Sequence, residues 1–92
     1  MIGIKDPDAV LDYTVDWQDA LTDGETITES SWTVAPQEAD GLSIDATGGV
    51  DARRWANLRA GLPGHVYRLT NHVKTTLDRA DERSFTIRII ER

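Results

Sequence analysis

The sequence predicts an all-β protein: a small antiparallel β-sandwich of six to eight short strands with at most one short helical turn. Three observations carry this. Apolar and polar residues alternate at period two along most of the chain, the spacing of a strand with one face in a core and the other in water. Turn residues break the chain at short intervals, at Asp23-Gly24, Pro36, Gly41, Gly48-Gly49 and Pro63-Gly64, where glycine accepts positive φ and proline fixes the bend. The 92 residues, 39% of them hydrophobic, fit one domain with one modest core.

In chain order, residues 1–8 are expected to form an extended N-terminal arm, because Asp6 precedes Pro7 and is held out of helical geometry. For Met1 to Ile4 a disordered terminus competes with the arm. The sandwich is then expected over residues 9–92. Leu11, Tyr13 and Val15 alternate with Asp12, Thr14 and Asp16, and Trp17 continues the apolar set. Asp16 to Leu21 reads as one turn of helix, capped by Asp16, with Trp17, Ala20 and Leu21 turned inward. Ile27 begins the next strand, and Trp32 with Val34 ends it; Leu42 and Ile44 mark a short one. Gly48-Gly49 is expected to be a turn. Val50 to Ala60 contains good helix formers yet also alternates, and it reads as strand because its neighbours do. Tyr67, Leu69, Val73, Thr75 and Leu77 share one parity, as do Phe85, Ile87 and Ile89.

The segment Leu62-Pro63-Gly64 followed by Tyr67 and Leu69 resembles the turn entering the sixth strand of fibronectin type III domains. There a core tyrosine bonds back through its hydroxyl to the backbone upstream. Pro63, Gly64 and Tyr67 are therefore the expected structural motif, and the resemblance implies an Ig-like or fibronectin-III-like sandwich.

The chemistry-bearing residues do not assemble into a site. With no cysteine, disulfides, thiolate zinc sites and cysteine nucleophiles are excluded. The net charge of -6 argues against nucleic acid and anionic membranes as partners, and no apolar run reaches membrane-spanning length. His65 and His72 are seven apart, so they have opposite parity in a strand and share no site. The serines lack a nucleophile elbow, and Gly48-Gly49 opens no phosphate loop. Asp6, Asp8 and Asp12, like Asp16, Asp19, Asp23 and Glu25, do not follow the EF-hand spacing. They read as solubilising strand-edge and turn residues. No catalytic, metal or cofactor residue is assigned.

Charge and tryptophan are unevenly spread. Nine acids run from Asp6 through Glu38 with Lys5 the only cation among the first forty residues, whereas arginines gather at 53, 54, 59 and 68 and again at 79, 83, 88 and 92. Two readings stand: pairing within the molecule, or a heterologous contact in which the acidic part of one copy meets the basic part of the next. Of the three tryptophans, Trp32 is the expected core residue and Trp17 is expected to cap one end of the core. Trp55 lies among arginines, a composition common at interface hot spots. Trp17, Arg53, Arg54, Trp55 and Arg59 are the candidate partner contacts.

One string of motifs remains. Lys5-Asp6-Pro7-Asp8 leads to Leu11-Asp12-Tyr13, Asp16-Trp17, Asp23-Gly24-Glu25-Thr26-Ile27 and Ser31-Trp32-Thr33-Val34, then to Tyr67, Thr70-Asn71 and Asp81-Glu82-Arg83-Ser84. This order resembles the fiber-tail adaptor or head–tail region proteins, small virion proteins of tailed bacteriophages and prophages. Val50 to Gly64 departs from it, since the resemblance would put a Thr/Val-rich strand and a glycine-rich turn there. The resemblance implies an Ig-like, non-enzymatic structural module that needs no cofactor. It would be made in bacterial cytoplasm and assembled into the virion with other phage structural proteins, a homo-oligomer being a further expectation. The competing expectation is an Ig-like module that binds a host-surface glycan or protein.

Overall fold

The computed structural model describes residues 2–6 and 8–90, with only the backbone described for Ile2 to Ile4. Among the described residues, seven strands form two sheets. They are β1 (Ile2–Lys5), β2 (Leu11–Asp16), β3 (Ile27–Ala35), β4 (Ser43–Val50), β5 (Arg53–Arg59), β6 (Val66–Thr75) and β7 (Ala80–Ile89). One sheet has the order β1-β7-β6-β3 and the other β2-β5-β4. Adjacent strands are antiparallel except β1 and β7, which run parallel.

The inner faces follow from side-chain parity. Leu69, Ile87 and Ile89 from one sheet meet Ala56 and Leu58 from the other, all fully buried. A second cluster gathers Val15, Trp17, Ala52 and Val73, and Trp32 and Phe85 touch both. Burying side chains of the Val/Leu/Ile class gains roughly 1.5–3 kcal/mol each, so these positions hold the sheets together.

Four expectations are corrected. Residues 1–8 do not leave the domain as a free arm over their described part: Ile2–Lys5 is a strand along β7. Lys5 is buried, and its Nζ donates to the Ala60 carbonyl at 2.7 Å. The chain then reverses at Asp6, whose carbonyl accepts from Ala9 N–H at 3.1 Å and whose Oδ1 accepts from Asp8 N–H at 2.8 Å. Met1 and Pro7 lie outside the described residues, as do Glu91 and Arg92. Second, Gly48-Gly49 is not a turn. Both lie inside β4, opposite Trp55 and Arg54. A Cβ at Gly48 would come within 2.5 Å of the Trp55 ring, and one at Gly49 within 2.6 Å of Arg54 Cδ. These glycines admit large cross-strand side chains. Third, the strand read over Val50 to Ala60 is split. Asp51-Ala52 makes the hairpin turn, with Asp51 at φ 54°, and β5 starts at Arg53. Fourth, Trp17 rather than Trp32 is the fully buried tryptophan, 1% exposed, while Trp32 is half-buried.

The turn at Gln18–Ala20 is a short 3-10 helix, and Asp16 Oδ1 accepts from Gln18 N–H at 3.0 Å. Leu77 falls in the β6–β7 turn and is exposed. At the turn before β6, His65 N–H donates to the Leu62 carbonyl at 3.0 Å and Gly64 has φ 82°, which is type II geometry with proline leading. Tyr67 is buried; its Oη accepts from Leu62 N–H at 3.2 Å, and its hydroxyl donates to Glu38.

A polar tie crosses the interior. Trp17 Nε1 donates to Asn71 Oδ1 at 2.8 Å, and Asn71 Nδ2 donates to Ser30 Oγ and to the Ser31 carbonyl, each at 3.0 Å. Asn71→Ala strands the buried indole N–H, whereas the Ser31 carbonyl lies at an exposed residue that water can reach. An orphaned buried donor costs about 1–3 kcal/mol, so urea unfolding should show a loss of at least about 1 kcal/mol, a substantial part of a small domain's stability.

Candidate functional site

β5 is the middle strand of its sheet. Its residues Arg54, Ala56 and Leu58 share the inward parity of fully buried Ala56 and Leu58, so Arg53, Trp55, Asn57 and Arg59 are on the outer face. Register supplies their neighbours. Asp16 is opposite Arg53, Thr14 opposite Trp55 and Asp12 opposite Asn57 on the β2 side; Val50, Gly48 and Ala46 occupy the corresponding places on β4. The result is a sheet face with half-buried Trp55 at its centre, lying over Gly48. An arginine stands at each end of the central strand, and exposed Val50 and Ala46 lie along one side.

The charges of this face are partly matched within it. Arg59 Nη2 is 3.2 Å from Asp45 Oδ2, and Arg53 Nη2 is 3.9 Å from Asp16 Oδ2. All four side chains are well exposed, so each pair contributes little to stability while both arginines remain available to a partner. These two pairs, with Lys74–Glu29 at 3.5 Å and Arg79–Glu25, join the acidic first half of the chain to the basic second half inside one molecule.

Of the five candidate contacts, the structure brings three together: Arg53, Trp55 and Arg59. The other two are corrected. Trp17 is in the core, its indole bonded to Asn71 and covered by the Arg83 guanidinium, whose Cζ is 4.5 Å from the ring centroid. Arg54 has inward parity and packs against Gly49, and its buried Nε has no hydrogen-bond partner among the described residues. The members that sequence reasoning missed are Ala46, Gly48 and Val50. Only the register of β4 against β5 assigns them to this face, and reading Gly48-Gly49 as a turn hid that register.

The remaining titratable groups are tied into the fold. Glu25 is buried and accepts from Arg79 Nε at 2.8 Å, Thr75 Oγ1 at 2.5 Å and Thr22 N–H at 2.9 Å. The Arg79 bond first, then Thr75 and Thr22, lower its pKa from 4.5 to about 2. Glu38 is held below the usual carboxylate range by bonds from Tyr67 and His65, the latter at 2.8 Å. His72 pairs with Glu82 at 3.0 Å and contacts Thr33 Oγ1 at 3.2 Å. Among the described residues no three His, Asp or Glu side chains converge on a point where a metal ion would fit, and no helix is long and apolar enough to cross a membrane.

The family described as podophage GP4 fiber-tail adaptor protein gp77 matches residues 5–88. The chain belongs to this family. No curated protein matches it. The family is one of phage structural proteins that join fibres to the tail, so a surface for protein partners is the feature its members need. The match runs from the buried Lys5 of β1 to Arg88 of β7 and so includes both sheets.

The Glu25 carboxylate gives a pH prediction. Its folded pKa lies below its unfolded one, so its contribution is fully present above about pH 4.5 and is lost as pH falls toward 2. Urea midpoints taken across that window for the wild type and Glu25→Gln should converge as pH falls. A gap independent of pH would contradict the charged tie to Arg79.

Proposed function

We propose that this chain is an Ig-like, non-enzymatic adaptor module of the head–tail and fiber region, and that it docks other phage structural proteins through the outer face of β2, β5 and β4. It is made in the bacterial cytoplasm and works in the virion, as membership of the adaptor family suggests. The strand order supports the Ig-like assignment: three strands face a sheet whose sixth and seventh strands are central, and a buried tyrosine near the start of the sixth strand bonds back to Leu62.

The observation that carries the docking reading is Trp55, half-buried at the centre of the outer sheet face between Arg53 and Arg59. Tryptophan and arginine dominate interface energetics when a partner seals them from water. The competing reading, recognition of a host-surface glycan or protein, gains from a groove formed by Trp17 and Trp55 together. Burial of Trp17 leaves Trp55 without that second ring and removes the support for such a groove.

The test is complementation of a phage lacking this gene by Trp55→Ala and by the double variant Arg53→Glu, Arg59→Glu. Both variants should remain folded by circular dichroism, and the purified particles should lack the adaptor or its fibres. Particles of full composition that fail only to adsorb would favour the host-ligand reading. Particles of full composition and full infectivity would overturn the docking face.

A further inference from the structure

The two sheets have four lateral edges, and an open edge is a template for another strand unless charge, proline or a bulge blunts it. Three of them are blunted: β1 is only four residues long and ends at Lys5, the β2 edge carries Asp12 and Asp16, and β3 carries Glu29 and a bulge at Ile27/Glu29. The part of β7 that extends beyond β1 carries Asp81, Glu82 and Arg83. There, Asp81 Oδ1 also accepts the Glu82 N–H at 2.8 Å. The β4 edge differs. After the bulge between Ile44 and Ala46, it runs Ala46-Thr47-Gly48-Gly49-Val50 with no charge and no proline. Most of this run is exposed, Val50 at 76%. In a chain that is 28% charged, such a run along an open edge stands out physically.

We propose that β4 is the site where a second copy of this chain adds, the two β4 strands pairing antiparallel about a two-fold axis at Thr47. The two-residue turn makes Val50 and Arg53 the closing hydrogen-bonded pair. Alternation then directs the amides of Thr47 and Gly49 away from β5, toward the open edge. A two-fold at Thr47 sets Ala46 opposite the second copy's Gly48 and Asp45 opposite its Gly49, so no like charges meet. Asp45 is already paired with Arg59 of its own chain. Self-pairing suits this strand because its small side chains leave room for a close, isologous approach. Two three-stranded sheets become one of six strands, and the Trp55 indole, lying over Gly48, comes beside the second copy's Ala46. The inference is independent of which phage protein docks on the outer face.

Salt separates this contact from one built on acid–base attraction. Two copies each of charge -6 repel, and screening relieves that repulsion. Sedimentation velocity of the full chain from micromolar to millimolar concentration should give one step from monomer to dimer, strengthened by added salt. Amide exchange at Thr47 and Gly49 should slow as the dimer forms. Thr47→Pro removes an edge donor at a position where proline is tolerated and should leave a monomer with an unchanged circular dichroism spectrum. A monomer at every concentration overturns the proposal. So does an oligomer that salt dissolves, or a dimer in which the Thr47 and Gly49 amides stay unprotected. Should Thr47→Pro fail to fold, amide exchange in the wild type decides.

Discussion

The Trp17 indole is bonded across the interior from the end of one sheet to the middle of the other. It follows β2 of one sheet, its ring nitrogen is bonded to Asn71 of the other, and its backbone N–H donates to the Ala52 carbonyl at 2.9 Å. Thus one residue joins the end of β2, the β4–β5 turn and the middle of β6. Asn71 passes the tie on to β3 through Ser30 and Ser31. A buried amide is costly unless its hydrogen-bonding capacity is used. Here Asn71 engages three partners, so the network fixes which residues of the two sheets face each other. Arg83 stacked on the indole then closes that end of the core against water.

The other end is held by a different device. Tyr67 fills the core and bonds to Leu62 and Glu38, which joins the turn before β6 to the β3–β4 connection. Among the described residues, the buried side-chain nitrogens and oxygens are all hydrogen-bonded apart from Arg54 Nε. The outer face of the smaller sheet is therefore presented by a rigid support, and its members are fixed by register rather than by loop conformation. This is the arrangement expected of a surface meant to dock a partner with little ordering cost.

Much of this was legible in the sequence where period-two alternation is strong. Leu11 to Trp17, Tyr67 to Thr75 and Phe85 to Ile89 lie on strands or strand ends with the inner faces as read. The failures are informative. Gly48-Gly49 has turn composition, but the glycines answer to the bulk of Trp55 and Arg54 across the ladder, a tertiary demand with no local signature. Asp51 takes the positive φ of the real turn, which the sequence does not advertise because aspartate is also common in strand edges. β1 has the sequence of an arm because its partner strand is far along the chain, and a parallel pairing leaves no hairpin signal. For the site, the Trp–Arg composition of β5 was visible. Its division into Arg53, Trp55 and Arg59 outside and Arg54 inside required the register.

The central claim is that phage partners meet the outer face of β2, β5 and β4. A photocrosslinking amino acid placed at Trp55 and, separately, at exposed Val66 on β6 of the opposite sheet tests it within assembled virions. The account predicts a crosslink from position 55 to another phage structural protein, identified by mass spectrometry, and none from position 66. Crosslinks from position 66 with none from position 55 would contradict it.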